Sequence, residues 1–377
     1  MHCINYEDAE NELKKHGFTV HEVIGEGCFG VVHKAVDKEG NVRAVKTVKA
    51  PTREARRKKP RGTQRRLVEI VKDEISVANA LAARLRQDPA DYDGVVKVYG
   101  TIVTARYYHV VMECLAGTDL KTFMDERYPS GMPLPLVQRL AWSVLRGLRV
   151  MHGLGALHRD LKPDNVFVEY DSAGNVVAFK LIDVGLGRVV VPPEDNEKSE
   201  NANVNENNDN NEIRSLDGED GGGVRSMKKE DKTTLDMKER IGDDDDKKVG
   251  KMGKMDKMSK MKMLPVVAQS CVGSPLYRSP VVELGYKYGP ECDIWGAGYI
   301  LYYGATGKCL TSMDEKALKR EKLYVWENCD RYGFAFPSVY SDDVKALLRA
   351  TMSKVPLSLE KLLDDIWFEA FRIQSDF

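Results

Sequence analysis

Residues 189–264 set the first limit on what this chain can fold into, because they carry too little apolar surface to join a core. Eight asparagines fall within positions 196–211, followed by Asp243-Asp-Asp-Asp246 and a Lys-Met-x repeat from Lys251 to Lys260. Burial in such a stretch does not offset the entropy of ordering it, so the composition predicts a low-complexity, disordered insert. Setting it aside leaves about 300 residues, enough for one large domain or two lobes with a sizeable core.

The two sides of the insert differ in pattern. Residues 1 to about 115 read as strands around one helix. Phe18–Val23, Val31–Val36 and Asn41–Val48 are strands, the last entered through the Lys-Glu-Gly-Asn turn at 38–41. A helix from roughly Leu67 to Leu85 follows, and Tyr107–Met112 is a further strand. Residues 118–188 and 265–377 are mainly helical. Leu136–Met151 carries apolar residues at helical spacing, and Ile294–Tyr303 is apolar on nearly every side, which predicts a buried helix.

Four motifs carry chemistry, and their order says more than any one of them. Gly25-Glu-Gly-Cys-Phe-Gly30 is a GxGxxG. A dinucleotide-binding turn needs a helix next, whereas Val31 and Val32 open a β-branched strand. Glycines between two strands let backbone amides close over phosphates without side-chain clash. A plain structural hairpin fits the same residues equally well. Ala44-Val-Lys46 places a lysine on the following strand, where it is suited to pair with phosphates. His158-Arg-Asp-Leu-Lys-Pro-Asp-Asn165 puts a carboxylate, a cation two residues on and an amide five residues on along one loop. Those groups supply a hydroxyl-orienting base, a partner for a transferred phosphoryl group and a metal ligand. Ile182-Asp-Val-Gly185 adds a second carboxylate suited to Mg²⁺.

This ordered set resembles the eukaryotic protein kinase family, serine/threonine type, from about Phe18 to Phe371 with the insert inside the activation segment. The resemblance implies an α+β, two-lobed fold: a β-rich N-lobe over about 18–115 and an α-helical C-lobe over about 116–371. Residues 1–17 would be an N-terminal extension, and ATP with Mg²⁺ would bind between the lobes. Position by position, Gly25, Gly27 and Gly30 would cover the phosphates, and Lys46 would contact them while pairing with Glu74. Glu69 is the rival to Glu74, but five residues turn a helix by about 140°, so the two cannot both face Lys46. Val32, Ala44 and Phe167 match cofactor-binding positions, Met112 the residue guarding the adenine pocket, Glu113 and Leu115 the hinge, and Asp119 the ribose-contacting acid. Asp160 and Lys162 would act on the acceptor and the phosphoryl group, and Asn165 and Asp183 would hold Mg²⁺. His158 is read as a packing residue. Lys162 and the Gly273-Ser-Pro-Leu-Tyr docking loop, with Ser274 near Asp160, resemble the serine/threonine branch. Asp293, opening Asp-Ile-Trp-Gly-Ala-Gly298, would hold the catalytic-loop backbone. Arg159 would grip a phosphate on Ser270.

Two positions depart from the family. Val184 replaces the phenylalanine of the metal-binding loop, and Val281 replaces the glutamate of the Ala-Pro-Glu motif. The arginine partner of that glutamate is also missing from the stretch after Met352, which points to an apolar replacement of a buried pair. These losses support an alternative, a pseudokinase or scaffold that acts by binding; the complete catalytic set opposes it. A small-molecule kinase fits poorly, because it normally lacks both the octet and the docking loop.

Lys and Arg total 57 against 58 Asp and Glu, a net charge of −1, so neither nucleic acid nor membrane is expected as a general partner. Protein substrates bearing serine or threonine are the expected partners. Seven scattered cysteines without CxxC spacing, and the lack of an apolar signal core, predict a cytoplasmic or nuclear location. The basic run Arg53–Arg66 is read as a solvated loop in preference to an import signal or an anion-docking site. Cys28, at the tip of the glycine loop, is read as incidental.

Overall fold

The computed structural model describes residues 4–27, 30–50, 63–90, 92–183, 187–189, 268, 272–309, 315–332 and 341–375. The chain divides into two units, Met1–Pro193 with Leu264–Phe377, and Glu194–Met263. The second unit lies wholly outside the described residues, as do Cys28, Val184, Ser270 and most of the basic run and of the expected insert.

Five antiparallel strands form the first sheet: β1 (Thr19–Gly27), β2 (Gly30–Val36), β3 (Val42–Lys49), β4 (Val98–Val103) and β5 (Tyr107–Glu113), in the order β1-β2-β3-β5-β4. Helix α1 (Tyr6–Lys15) precedes them and α2 (Thr63–Gln87) stands between β3 and β4. Alternating side chains give the sheet two faces, and each receives a helix. Val77, Ala78 and Leu81 of α2 pack with Val48, Val98, Tyr108 and Val110. On the other face Leu13 of α1 packs with Ala35 and Val45. The stretch expected only as an extension is therefore part of the core. It is a sound helix locally: Asn5 caps it by accepting from the Asp8 amide at 3.3 Å, with Glu7 and Asp8 in its first turn and Lys14 and Lys15 in its last.

The glycine loop is the hairpin between β1 and β2, with Gly27 paired to Gly30. Gly30 has a steric reason to be glycine, since a Cβ there would sit 2.4 Å from the Thr47 carbonyl oxygen on β3.

The second half is built around α4 (Leu134–Gly153), which follows a three-residue strand β6 (Gly117–Asp119) and α3 (Leu120–Arg127). Two short strands, β7 (Ala156–Leu157) and β10 (Arg188–Val189), pair with each other, so Val189 at the start of the expected insert lies against Ala156. Strands β8 (Val166–Tyr170) and β9 (Val176–Leu181) join β6 in a small sheet. After the insert come α5 (Pro280–Glu283), α6 (Glu291–Thr306), α7 (Glu315–Tyr332), α8 (Asp342–Thr351), α9 (Leu359–Leu363) and α10 (Glu369–Ser375). Helix α6 is buried around nearly its whole circumference, Trp295 and Tyr299 included, as its apolar run predicts. Among the described residues no helix is long and apolar enough to cross a membrane.

Candidate functional site

Strand register brings the cofactor-binding candidates together. Val32 pairs with Lys46, Lys46 with Val110, and Ala44 with Met112. Alternation then places Lys46 on the face that looks toward α2, where Lys46 Nζ donates to Glu74 Oε1 at 2.8 Å and to Asp183 Oδ1 at 2.5 Å. Of the two rival glutamates it is Glu74, only 2% exposed, that faces the lysine. Burial alone would lower the Lys46 pKa, but the charges of Glu74 and Asp183 outweigh it and raise it. Tyr108 donates its hydroxyl to Glu74 Oε2. Burial, and then the Glu74 charge, push that phenol well above its ordinary value, so it stays a donor. Composition and motif gave no hint of Tyr108, yet its place on β5, two residues from Val110, was the available sign.

The hinge candidates are tied from behind. The Glu113 side chain accepts from the Lys97 amide at 2.8 Å and from Lys180 Nζ at 3.1 Å, and Lys180 also pairs with Glu169 at 3.0 Å. Leu115 packs on the core. Phe167 on β8 pairs with Asp119 on β6. Asp119 is the N-cap of α3, accepting from the Thr122 amide at 2.9 Å and its hydroxyl at 2.8 Å, so its carboxylate is already oriented by local bonds.

The catalytic-loop candidates converge on Asp160. Its Oδ1 accepts from the Ser274 amide at 2.8 Å and hydroxyl at 3.0 Å. Its Oδ2 accepts from Asn165 Nδ2 at 3.2 Å, with Lys162 Nζ at 3.4 Å. Lys162 also lies 3.5 Å from Ser274 Oγ. The docking loop reaches this carboxylate because Gly273 is at φ +86°, and a Cβ there would stand 2.5 Å from the Arg159 carbonyl. Arg159 and Asp183 are the two non-glycine residues at positive φ among those described. Such backbone persists only where its surroundings over-determine it. Asp293 is one such restraint: its carboxylate accepts the amides of His158 and Arg159, both at 2.8 Å, and His152 Nε2 stands at 2.9 Å. Burial pushes its pKa up, but the His152 bond and the loop amides hold it below the usual carboxylate value. His158 is fully buried, 3.3 Å from the Ile182 carbonyl, a packing position.

Arg159 points into the fold, 3.4 Å from Asp73 Oδ2 and 3.4 Å from the Gly187 carbonyl, with Arg188 3.9 Å from the same Asp73 oxygen. The expected phosphate partner, Ser270, lies outside the described residues.

Position 281 itself has apolar surroundings, as expected, and an unexpected ion pair forms beside it. Val281 is half-buried against the cluster of Leu157, Ala268, Val282, Tyr288 and Cys292, and two residues on Glu283 pairs with a buried cation, Lys322 of α7, at 3.4 Å. That cation stands on α7, ahead of the stretch after Met352 and in no motif.

A family model described as protein kinase domain matches residues 18–205. Cyclin-dependent kinase 4 of Ovis aries is 32% identical over 171 residues, 44% of this chain and 50% of that protein. Serine/threonine-protein kinase CBK1 of Candida glabrata is 27% identical over 291 residues, 77% of this chain and 33% of that protein. Serine/threonine-protein kinase BCK1/SLK1/SSP31 of Saccharomyces cerevisiae is 28% identical over 191 residues, 50% of this chain and 12% of that protein. The chain thus spans half or less of the length of these curated relatives.

Proposed function

Because the chain belongs to the protein kinase family, we propose that it transfers the γ-phosphoryl group of ATP to serine or threonine hydroxyls of protein substrates. The observation that carries the reading is Lys46 held between Glu74 and Asp183 at 2.8 and 2.5 Å. A scaffold that only binds has no need to hold a buried cation between a helix carboxylate and a second acid.

The donor set fits Mg²⁺. Asp183 and Asn165 offer hard oxygen ligands, and among the described residues no cluster of three or more His, Cys, Asp or Glu could hold a metal by itself. Magnesium commonly takes one or two protein oxygens and completes its shell with water and phosphates. When bound, it supplies neutralisation of phosphate charge. The chain does the rest by positioning. Gly25, Gly27 and Gly30 present the hairpin backbone to the phosphates, and Lys46 is aimed at them by Glu74. Val32, Ala44, Met112, Leu115 and Phe167 border the adenine side, with Glu113 held by Lys180 and Asp119 near the ribose. Asp160 is oriented by Ser274 and Asn165 so that it accepts a hydrogen bond from the acceptor hydroxyl. Lys162, between Asp160 and Ser274, stands where it meets the transferred group. Arg159, now resting on Asp73, would exchange that partner for a phosphate on Ser270.

The test is direct. Purified protein with Mg²⁺ and labelled ATP is offered a peptide library whose acceptor is serine, threonine or tyrosine. Label on serine and threonine peptides supports the reading, and ATP binding with no transfer to any peptide would leave the pseudokinase.

A further inference from the structure

Lys322 is 1% exposed, and burying an ammonium is unfavourable unless its donors are all used. Here they are used. Nζ donates to the Pro275 carbonyl at 2.5 Å and to the Arg278 carbonyl at 3.0 Å, and Glu283 Oε2 lies 3.4 Å away. A lysine has three N–H groups, and three acceptors meet them.

The two carbonyls bracket the turn Ser274–Arg278. That turn closes on itself through the Tyr277 and Arg278 amides, which donate to the Ser274 carbonyl at 3.0 and 3.1 Å. Arg278 folds back to the Val272 and Gly273 carbonyls at 3.0 and 2.7 Å. On its inner side the turn is fixed by Ser274 on Asp160. Its outer side is held by Lys322 of α7.

We propose that Lys322, neutralised by Glu283, is a positioning residue that sets the docking loop for the acceptor substrate. It takes over the work that the family assigns to a pair at position 281, from a different helix and on a different acid. The inference rests on the kinase reading above for its substrate side. It touches neither ATP nor the reacting hydroxyl, so its loss is felt in acceptor binding.

The experiment compares Lys322→Met with the double variant Lys322→Met/Glu283→Leu. The single variant strands Glu283 and loses stability; the double removes the stranded acid and recovers the melting midpoint. In the double variant the KM for a serine peptide rises about tenfold, the scale of one or two lost hydrogen bonds, while the KM for ATP stays at the wild-type value. Amide exchange at Tyr277 and Arg278, read without any turnover, speeds up by a similar factor. A double variant with wild-type peptide KM, or with unchanged exchange at those two amides, overturns the role of Lys322. Wild-type protein that labels no peptide sinks the kinase reading instead, and the exchange result still judges the loop.

Discussion

Among the described residues two lysines are buried in ion pairs, and they have opposite electrostatics. Lys46 has two carboxylates at 2.8 and 2.5 Å, and their charges raise its pKa against burial. Lys322 has one carboxylate at 3.4 Å and two neutral carbonyls, and burial wins, lowering its pKa. The first is kept as a charge. The second serves chiefly as a fixed set of donors that ties down a loop. Burial alone therefore does not tell what a lysine is for; the charge of its acceptors does.

The largest effects are expected on the Lys46 side. Asp183→Asn removes the carboxylate proposed for the metal, and Asp160→Asn removes the one proposed to orient the acceptor. Each should abolish transfer, a loss of roughly 1,000-fold or more, with the fold kept by circular dichroism. Near-normal turnover in either variant would sink the enzyme reading. Lys46→Met should lower kcat by about 100-fold or more and leave Glu74 with Tyr108 as its remaining named partner. Its contrast with Lys322→Met is the point: the first should act on turnover with ATP, the second on the peptide KM. If both variants lose the same kinetic constant, the division between them fails.

What could be read from the sequence follows the same division. Lys46, Asp160, Lys162, Asn165 and Asp183 stand in short ordered motifs, and the family resemblance those motifs carry implies that they share one cleft. Glu74 was preferred over Glu69 on the family resemblance of its surroundings, and helical geometry added that the two could not both face Lys46. Tyr108, Asp73 and Lys322 stand in no motif, because each gains its partner from an element distant in sequence: Lys322 meets Pro275 and Glu283 from 47 and 39 residues away. Helix α1 was legible only as an extension. Its apolar stripe is short, and its reason to fold lies in the face of a sheet that forms elsewhere, where Leu13 meets Ala35 and Val45.

A smaller effect comes from alkaline titration of the Lys322 pair. The unfolded chain holds this proton up to about 10.5, whereas the folded chain releases it at lower pH. Between those two points the unfolded state binds more protons, so this residue makes stability rise with pH. The groups facing it are Glu283, which favours the charged form, and Arg278, which opposes it. The stability difference between wild type and Lys322→Met should therefore shift in favour of wild type as pH approaches 10.5. Paired urea melts at pH 8 and at pH 10 measure it. A difference that moves the other way would place Lys322 in the same electrostatic class as Lys46.

The smallest effect is expected at Val281, and it tests whether the cation has truly moved. If the site still expected a glutamate there, Val281→Glu would stabilise the protein by completing a pair. If the position were sealed in apolar surroundings, the same change would bury an unpaired carboxylate at a cost of several kcal/mol. The structure supports neither extreme. Val281 is half-buried, so a longer side chain has a route to water, and Lys322 already has its acid in Glu283. The expected change is below about 1 kcal/mol, typical of a substitution away from a buried network. Glu283→Gln should cost more, because it strips the counter-charge from a lysine that is 1% exposed. Thermal melts of the two variants beside wild type decide it, and the ranking is what counts. A Val281→Glu protein less stable than Glu283→Gln would mean that the buried pair has not shifted to Glu283 at all.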